Sequence, residues 1–113
     1  MKSGDGGVDL IVYHRNGTIF VQCKNYVTTV DRRPVQALDG FISRRRVHCS
    51  GRVGGIVVAH RNRIEEDKFD PAAVTEATIC RNLMKLSYAN TIVEDIEELM
   101  SMAERKEGFT QWI

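Results

Sequence analysis

A chain of 113 residues is long enough for one small domain with a single core. Apolar residues make up 42% and charged residues 27%, ordinary globular values that exclude wholesale disorder. No apolar stretch approaches the ~20 residues of a transmembrane helix, and Met1-Lys2-Ser3-Gly4 opens no apolar secretory segment. Cys23, Cys49 and Cys80 are scattered, with no C-x-x-C, and read as reduced thiols of an intracellular protein, not as a disulfide frame or zinc site. Net charge is +1, yet residues 1–63 hold eleven Lys/Arg against four Asp (+7), and residues 64–113 hold five Lys/Arg against eleven Asp/Glu (−6). Such asymmetry hints at a polyanion-binding face; the plainer reading is a dipolar, solvated surface.

The first elements surround Asn16-Gly17. Val8-Asp9-Leu10-Ile11-Val12-Tyr13 and Thr18-Ile19-Phe20-Val21-Gln22-Cys23-Lys24-Asn25-Tyr26 are β-branched, apolar runs flanking that dipeptide, the strongest short-range hairpin signal. With Asn16 and Gly17 as the loop, Arg15 faces Thr18, Ile11 faces Gln22 and Asp9 faces Lys24. Side chains alternate along a strand and opposed residues share a face. Asp9, Gln22 and Lys24 therefore fall on one side at the open end, with Phe20 and Ile11 deeper in, and Val8, Leu10, Val12, Ile19 and Val21 opposite. An acid, an amide and an ammonium at the mouth of an apolar hairpin are not what core packing selects. The bland alternative is a cross-strand Asp9–Lys24 ion pair, worth about 0.2–1 kcal/mol.

Val27 to Val30 is extended. Asp31 caps a helix over 32–46, Pro34 suits its first turn, and Val35, Leu38, Phe41 and Ile42 form one buried stripe. That helix ends in Arg44-Arg45-Arg46. His48 to Gly55 reads as a loop, and Gly55 to Ala59 as a buried central strand with His60-Arg61-Asn62-Arg63 at its C-terminal end. Asp70-Pro71 opens a second helix with Ala73, Ala77, Cys80 and Met84 as its apolar stripe. Lys85 to Tyr88 is a short strand. Thr91-Ile92-Val93-Glu94 is a capping box for a helix that buries Ile92, Val93, Ile96, Leu99, Met100 and Ala103 and stops near Gly108. There are no repeats or long linkers, so residues 1–113 form a single domain, and the element order is an α/β layer arrangement.

Gly4-Asp5-Gly6-Gly7-Val8-Asp9-Leu10-Ile11, a hairpin, and Val21-Gln22-Cys23-Lys24-Asn25-Tyr26 together resemble the catalytic core of the Mrr-type restriction endonuclease-like family, a branch of the PD-(D/E)xK nuclease superfamily with Gln in place of the second acid. The resemblance spans roughly residues 4 to 100. It implies a restriction endonuclease-like core, a mixed β-sheet with flanking helices, from which the family's N-terminal helix and strand are missing here. It further implies a metal-dependent deoxyribonuclease acting in restriction of foreign or modified DNA or in DNA maintenance. Mg²⁺, with Mn²⁺ able to substitute, would take oxygen ligands: the Asp9 carboxylate, the Gln22 amide oxygen and the Cys23 carbonyl, with Asp5 adding a ligand through water. Lys24 would orient or deprotonate the attacking water or offset charge on phosphorus.

Around this site Asn25, Arg44, Arg45, Arg46, Arg52, Arg61 and Arg63 are candidates for phosphate contact, each otherwise a solvated surface residue. Tyr13 and Tyr26 could stack on bases, with core packing the plainer expectation. Gln36 could face the site or be solvated. His14 and His60 read as structural or exposed, with no third partner for a triad. The rival reading is a non-catalytic nucleic-acid-binding or assembly module derived from the nuclease fold; a third is a domain active only within a longer chain or a homodimer. The uncovered flank of the hairpin is expected to produce a homodimer or poor solubility.

Overall fold

The computed structural model describes residues 7–25 and 28–111, with side chains through Ser101. Four strands form one mixed sheet in the order β1-β2-β3-β4. β1 (Leu10–His14) pairs antiparallel with β2 (Gly17–Lys24), and β2, β3 (Arg52–Ala59) and β4 (Leu83–Tyr88) run parallel. Helices α1 (Arg32–Arg45) and α2 (Pro71–Ile79) connect the parallel strands, and α3 (Ile92–Gln111) follows β4. Among the described residues no helix is long and apolar enough to cross a membrane.

The alternation of side chains along the strands splits the core into two layers. Phe20, Val53, Val57, Ala59 and Met84 pack against Val35, Leu38, Phe41 and Ile42 of α1 and Ala73 of α2. Phe20 and Phe41 meet edge to face, centroids 5.2 Å apart, a geometry aromatic quadrupoles favour. On the other side Ile19, Val21, Ile56, Val58 and Leu83 pack under Leu99 and Met100 of α3. So α3 covers part of the hairpin flank expected to lack a partner. Val8 packs with the α1 layer, and the apolar exposure left on β1 is Leu10, Ile11 and Tyr13.

The hairpin register differs from expectation. His14 pairs with Gly17 and Ile11 with Phe20, so the loop is Arg15-Asn16. A type I′ turn needs φ > 0 at both central residues, and among the described residues positive φ occurs only at Gly7 and Gly51. Gly17 serves a different purpose: a Cβ there would lie 1.9 Å from the Arg52 carbonyl oxygen, so β3 enters the sheet against bare backbone. The slip is two residues, an even number, so the paired side chains keep their faces, whereas Val8, beyond the last pair, leaves the face of Ile19 and Val21 for the α1 layer.

The same pressure explains Gly54 and Gly55: β3 starts at Arg52, three residues before the expected strand, so Gly54 lies in the strand and not in the expected loop. A Cβ on Gly55 would stand 2.6 Å from Ile42 Cδ1, and one on Gly54 3.0 Å from Leu99 Cδ2; helices press on the strand from both sides. α2 ends at Ile79, leaving Met84 to the core face of β4. Thr91 donates to the Tyr88 carbonyl and contacts Asp95 instead of closing a capping box with Glu94. Val93 is exposed, α3 continues past Gly108 to Gln111, and Ala103 lies outside the described side chains. Asp31 and Asp70 cap α1 and α2 as expected, accepting from Arg33 N and Ala73 N.

Two connections are pinned beside the C-terminal ends of the parallel strands. Val30 forms an isolated bridge to Phe69, its N–H donating to Lys68 O at 2.7 Å and its carbonyl accepting from Asp70 N at 3.1 Å. This fixes the segments after β2 and β3 on one rim.

Candidate active site

Asp9 sits one residue before β1, beyond the last ladder pair Leu10–Val21, and its N–H donates to Val21 O at 2.8 Å. Its Oδ2 accepts the Cys23 N–H at 2.7 Å. A main-chain N–H and carbonyl of one strand residue project to the same side, so the Cys23 carbonyl is directed to the side where Asp9 stands. Gln22 is 2% exposed, between strand neighbours and the backbone at Gly7. Gly7 has φ +82°, and a Cβ on it would be 2.2 Å from Gln22 Nε2. Only glycine meets both requirements at low cost. Lys24, half-buried, ends β2 beside Ala59 of β3.

The result is a carboxylate held by the Cys23 N–H, with a buried carboxamide and a half-buried ammonium on the two residues of β2 that flank Cys23. Partial shielding from water, and secondarily the Asp9 charge, raise the Cys23 thiol above its ordinary pKa. It is a neutral thiol at pH 7 and a poor nucleophile, so Cys23 offers the site its backbone. Among the described residues no three His, Cys, Asp or Glu side chains form a metal-binding group.

A family model described as restriction endonuclease, the Mrr catalytic domain, matches residues 1–94. The chain belongs to the Mrr restriction endonuclease family. The mixed sheet with flanking helices is its restriction endonuclease-like core, and the family is one of nucleases. No curated protein and no solved structure matches the chain.

In this Mrr-type core the candidate phosphate-contact residues fall into two groups. Asn25, Arg61 and Arg63 lie at the C-terminal ends of β2 and β3, on the Lys24 rim. Arg44, Arg45 and Arg46 lie at the opposite end, where α1 finishes and β3 begins. β2 has eight residues, which at roughly 3.3 Å each separates the two ends by ~23 Å. Arg45 stacks 5.0 Å from the Phe41 centroid, and Arg46 Nη1 donates to Asn82 Oδ1. Arg44 remains exposed.

Other candidates resolve locally. Gln36 donates to Glu76 on α2 at 3.4 Å. His14 accepts from Asn16 N through Nδ1, and its Nε2 lies 3.2 Å from Glu97 of α3, a structural role. Tyr13 is 80% exposed and so is not a core residue. Asp5 and Tyr26 lie outside the described residues.

Sequence reasoning passed over Gly7 as a shaping residue and over Asn62 and Asn90 as lining residues. The first was legible only as a Gly-rich approach; the other two carry no signal until the loops after β3 and β4 are seen side by side.

Proposed function

We propose that the chain is a divalent-metal-dependent deoxyribonuclease that hydrolyses the DNA backbone at the Asp9–Gln22–Lys24 site. The observation that carries this reading is the Asp9 carboxylate fixed at 2.7 Å by the N–H of Cys23, the residue that stands between Gln22 and Lys24 on β2. In hydrolysis a water oxygen bonds to phosphorus, one P–O bond breaks and the leaving oxygen takes up a proton. The donor set fits a hard cation such as Mg²⁺ or Mn²⁺, which prefers oxygen ligands and keeps several waters: a carboxylate, a carboxamide oxygen and the Cys23 carbonyl. When bound, such an ion supplies a more acidic water and offsets charge on the reacting phosphate.

The chain's own residues do the rest. The Cys23 N–H occupies one Asp9 oxygen and orients the other. Burial holds the Gln22 amide in one pose, with Gly7 as its wall. Lys24 places a positive charge where negative charge grows on the non-bridging oxygens. One carboxylate and a neutral amide would bind a cation weakly on their own, and substrate phosphate would strengthen its binding. The test is nicking of supercoiled plasmid by the purified chain, with Mg²⁺ or with excess EDTA. Nicking that persists unchanged in EDTA rejects the metal-dependent reading.

A further inference from the structure

Two clefts adjoin at the C-terminal ends of the parallel strands, sharing His60 and Ala89. The smaller, about 330 Å³, is lined by Lys24 and Asn25 with His60. The larger, about 470 Å³, runs between the loop after β3 and the turn after β4 and is lined by His60, Arg61, Asn62, Arg63, Ile64, Ala89 and Asn90. Clefts of ~300–1,000 Å³ are the usual size of ligand sites. Among the described residues no acid lines either of these.

The loop is built to hold its shape. Glu66 Oε1 accepts the Asn62 N–H at 2.9 Å, and the Glu66 N–H donates to Arg63 O at 3.0 Å. The Asn62 N–H, with Lys68 and Arg63 adding to it, keeps the Glu66 carboxyl below its ordinary pKa, so the latch is closed across the neutral range. Arg61 lies flat on Tyr88, its guanidinium carbon 3.8 Å from the ring centroid. Tyr88 is itself wedged by Phe69 at 5.4 Å and held by the Lys68 N–H, which donates to its hydroxyl at 2.9 Å.

Arg61 has no carboxylate partner among the described residues, and its Nε is buried without a hydrogen bond. A partly desolvated cation with no counter-charge costs folding free energy, which an anionic ligand would offset. Arg63 makes only an exposed 3.6 Å contact with Glu65, a pair weak enough for a ligand to displace. The Asn62 and Asn90 carboxamides make no hydrogen bond among the described residues and are available to an oxyanion. Among the described residues the one aromatic ring lining these clefts is His60, and Tyr88 is covered by Arg61, so these residues offer charge and amides, not the stacking platforms that hold bases.

We propose that this double cleft seats the DNA phosphodiester backbone beside the scissile phosphate, running from Lys24 past His60 to Arg61 and Arg63. The inference rests on the nuclease reading for the identity of the polyanion. It adds the direction in which the strand leaves the site: across the ends of β3 and β4, not toward Arg44–Arg46. Contacts of this kind fix register and do not read sequence.

Fluorescence anisotropy with a labelled duplex, in EDTA and over a salt series, tests it. Each lost phosphate contact should lower the slope of log K against log salt by about 0.9, which corresponds to roughly eightfold weaker binding at 0.1 M salt. Arg63→Gln should show one such loss, the Arg61→Gln/Arg63→Gln double variant two, and Arg44→Gln none. Because Arg61 is stacked, the single Arg63→Gln variant keeps the test sound if the double variant misfolds. Wild-type binding with an unchanged slope in Arg63→Gln, or a slope lost in Arg44→Gln instead, overturns the assignment. Either outcome leaves the nuclease reading untouched, because metal-dependent nicking decides that separately.

Discussion

In the proposed site Gln22 is the ligand to test first. It is a neutral amide, and it is buried against Gly7 so closely that a Cβ there would lie 2.2 Å from its Nε2. Gln22→Glu adds a hard anionic ligand at the same reach, so Mn²⁺ affinity should rise about tenfold; isothermal titration of both proteins measures it, and equal affinities would remove Gln22 from the ligand set. Gly7→Ala attacks the same contact from the other side. The positive φ alone costs about 1–2 kcal/mol for a residue with a Cβ, and the displaced amide should cut nicking more than tenfold. Denaturant melts and nicking rates, run together, separate the two effects. A variant destabilised by that amount yet fully active would show that the pose of Gln22 is irrelevant.

At the level of elements, Arg46, just past the end of α1, joins a structural clasp at the far end of the sheet from the proposed site. Asn82 is 1% exposed, donates to Asp39 O at 3.1 Å, Asp39 Oδ1 at 2.9 Å and Ser43 Oγ at 2.9 Å, and accepts from Arg46. It ties the end of α1 to the turn entering β4. Asn82→Ala strands several buried partners and should destabilise the fold by about 2–3 kcal/mol, read as a shift in urea midpoint with unchanged slope. A loss below 0.5 kcal/mol would mean water replaces the clasp. The helices and the central strand were legible because their signals are local: Asp31 and Asp70 as caps, the Val35–Ile42 stripe, and the apolar run ending at Ala59. The hairpin register and the start of β3 were not. Gly17, Gly54 and Gly55 look like turn residues in the sequence but answer to neighbours distant in the chain: Arg52 backbone, Leu99, and Ile42 with Leu38. The candidate site stayed together because the Asp9 carboxylate is tied directly to β2 by the Cys23 N–H, a contact that the pairing register alone does not give. The cleft did not announce itself, since its lining comes from two loops nearly thirty residues apart in sequence, Arg61 and Asn90 among them.

For the whole molecule, the +7 of the first 63 residues does not make one basic face. It divides between the Lys24 rim and the α1 end, while Asp95 and Glu98 of α3 partly meet Lys85 at 3.8 and 3.6 Å on the other side of the sheet. The outer edge of β1 shows Leu10, Ile11 and Tyr13, 53%, 46% and 80% exposed, and an apolar free edge invites strand pairing. Self-association of the 113-residue chain is the expected outcome, measured by sedimentation equilibrium over a concentration range, and Ile11→Lys should reduce it. A concentration-independent monomer mass would show that this edge is tolerated bare.

The central claim is that Asp9 is the carboxylate of a nuclease site. Asp9→Ala removes that carboxylate from an exposed position and leaves both core layers intact, so circular dichroism should be unchanged. Plasmid nicking in Mg²⁺ should fall by at least a hundredfold relative to the wild-type chain. A folded Asp9→Ala protein that nicks at the wild-type rate would contradict the assignment.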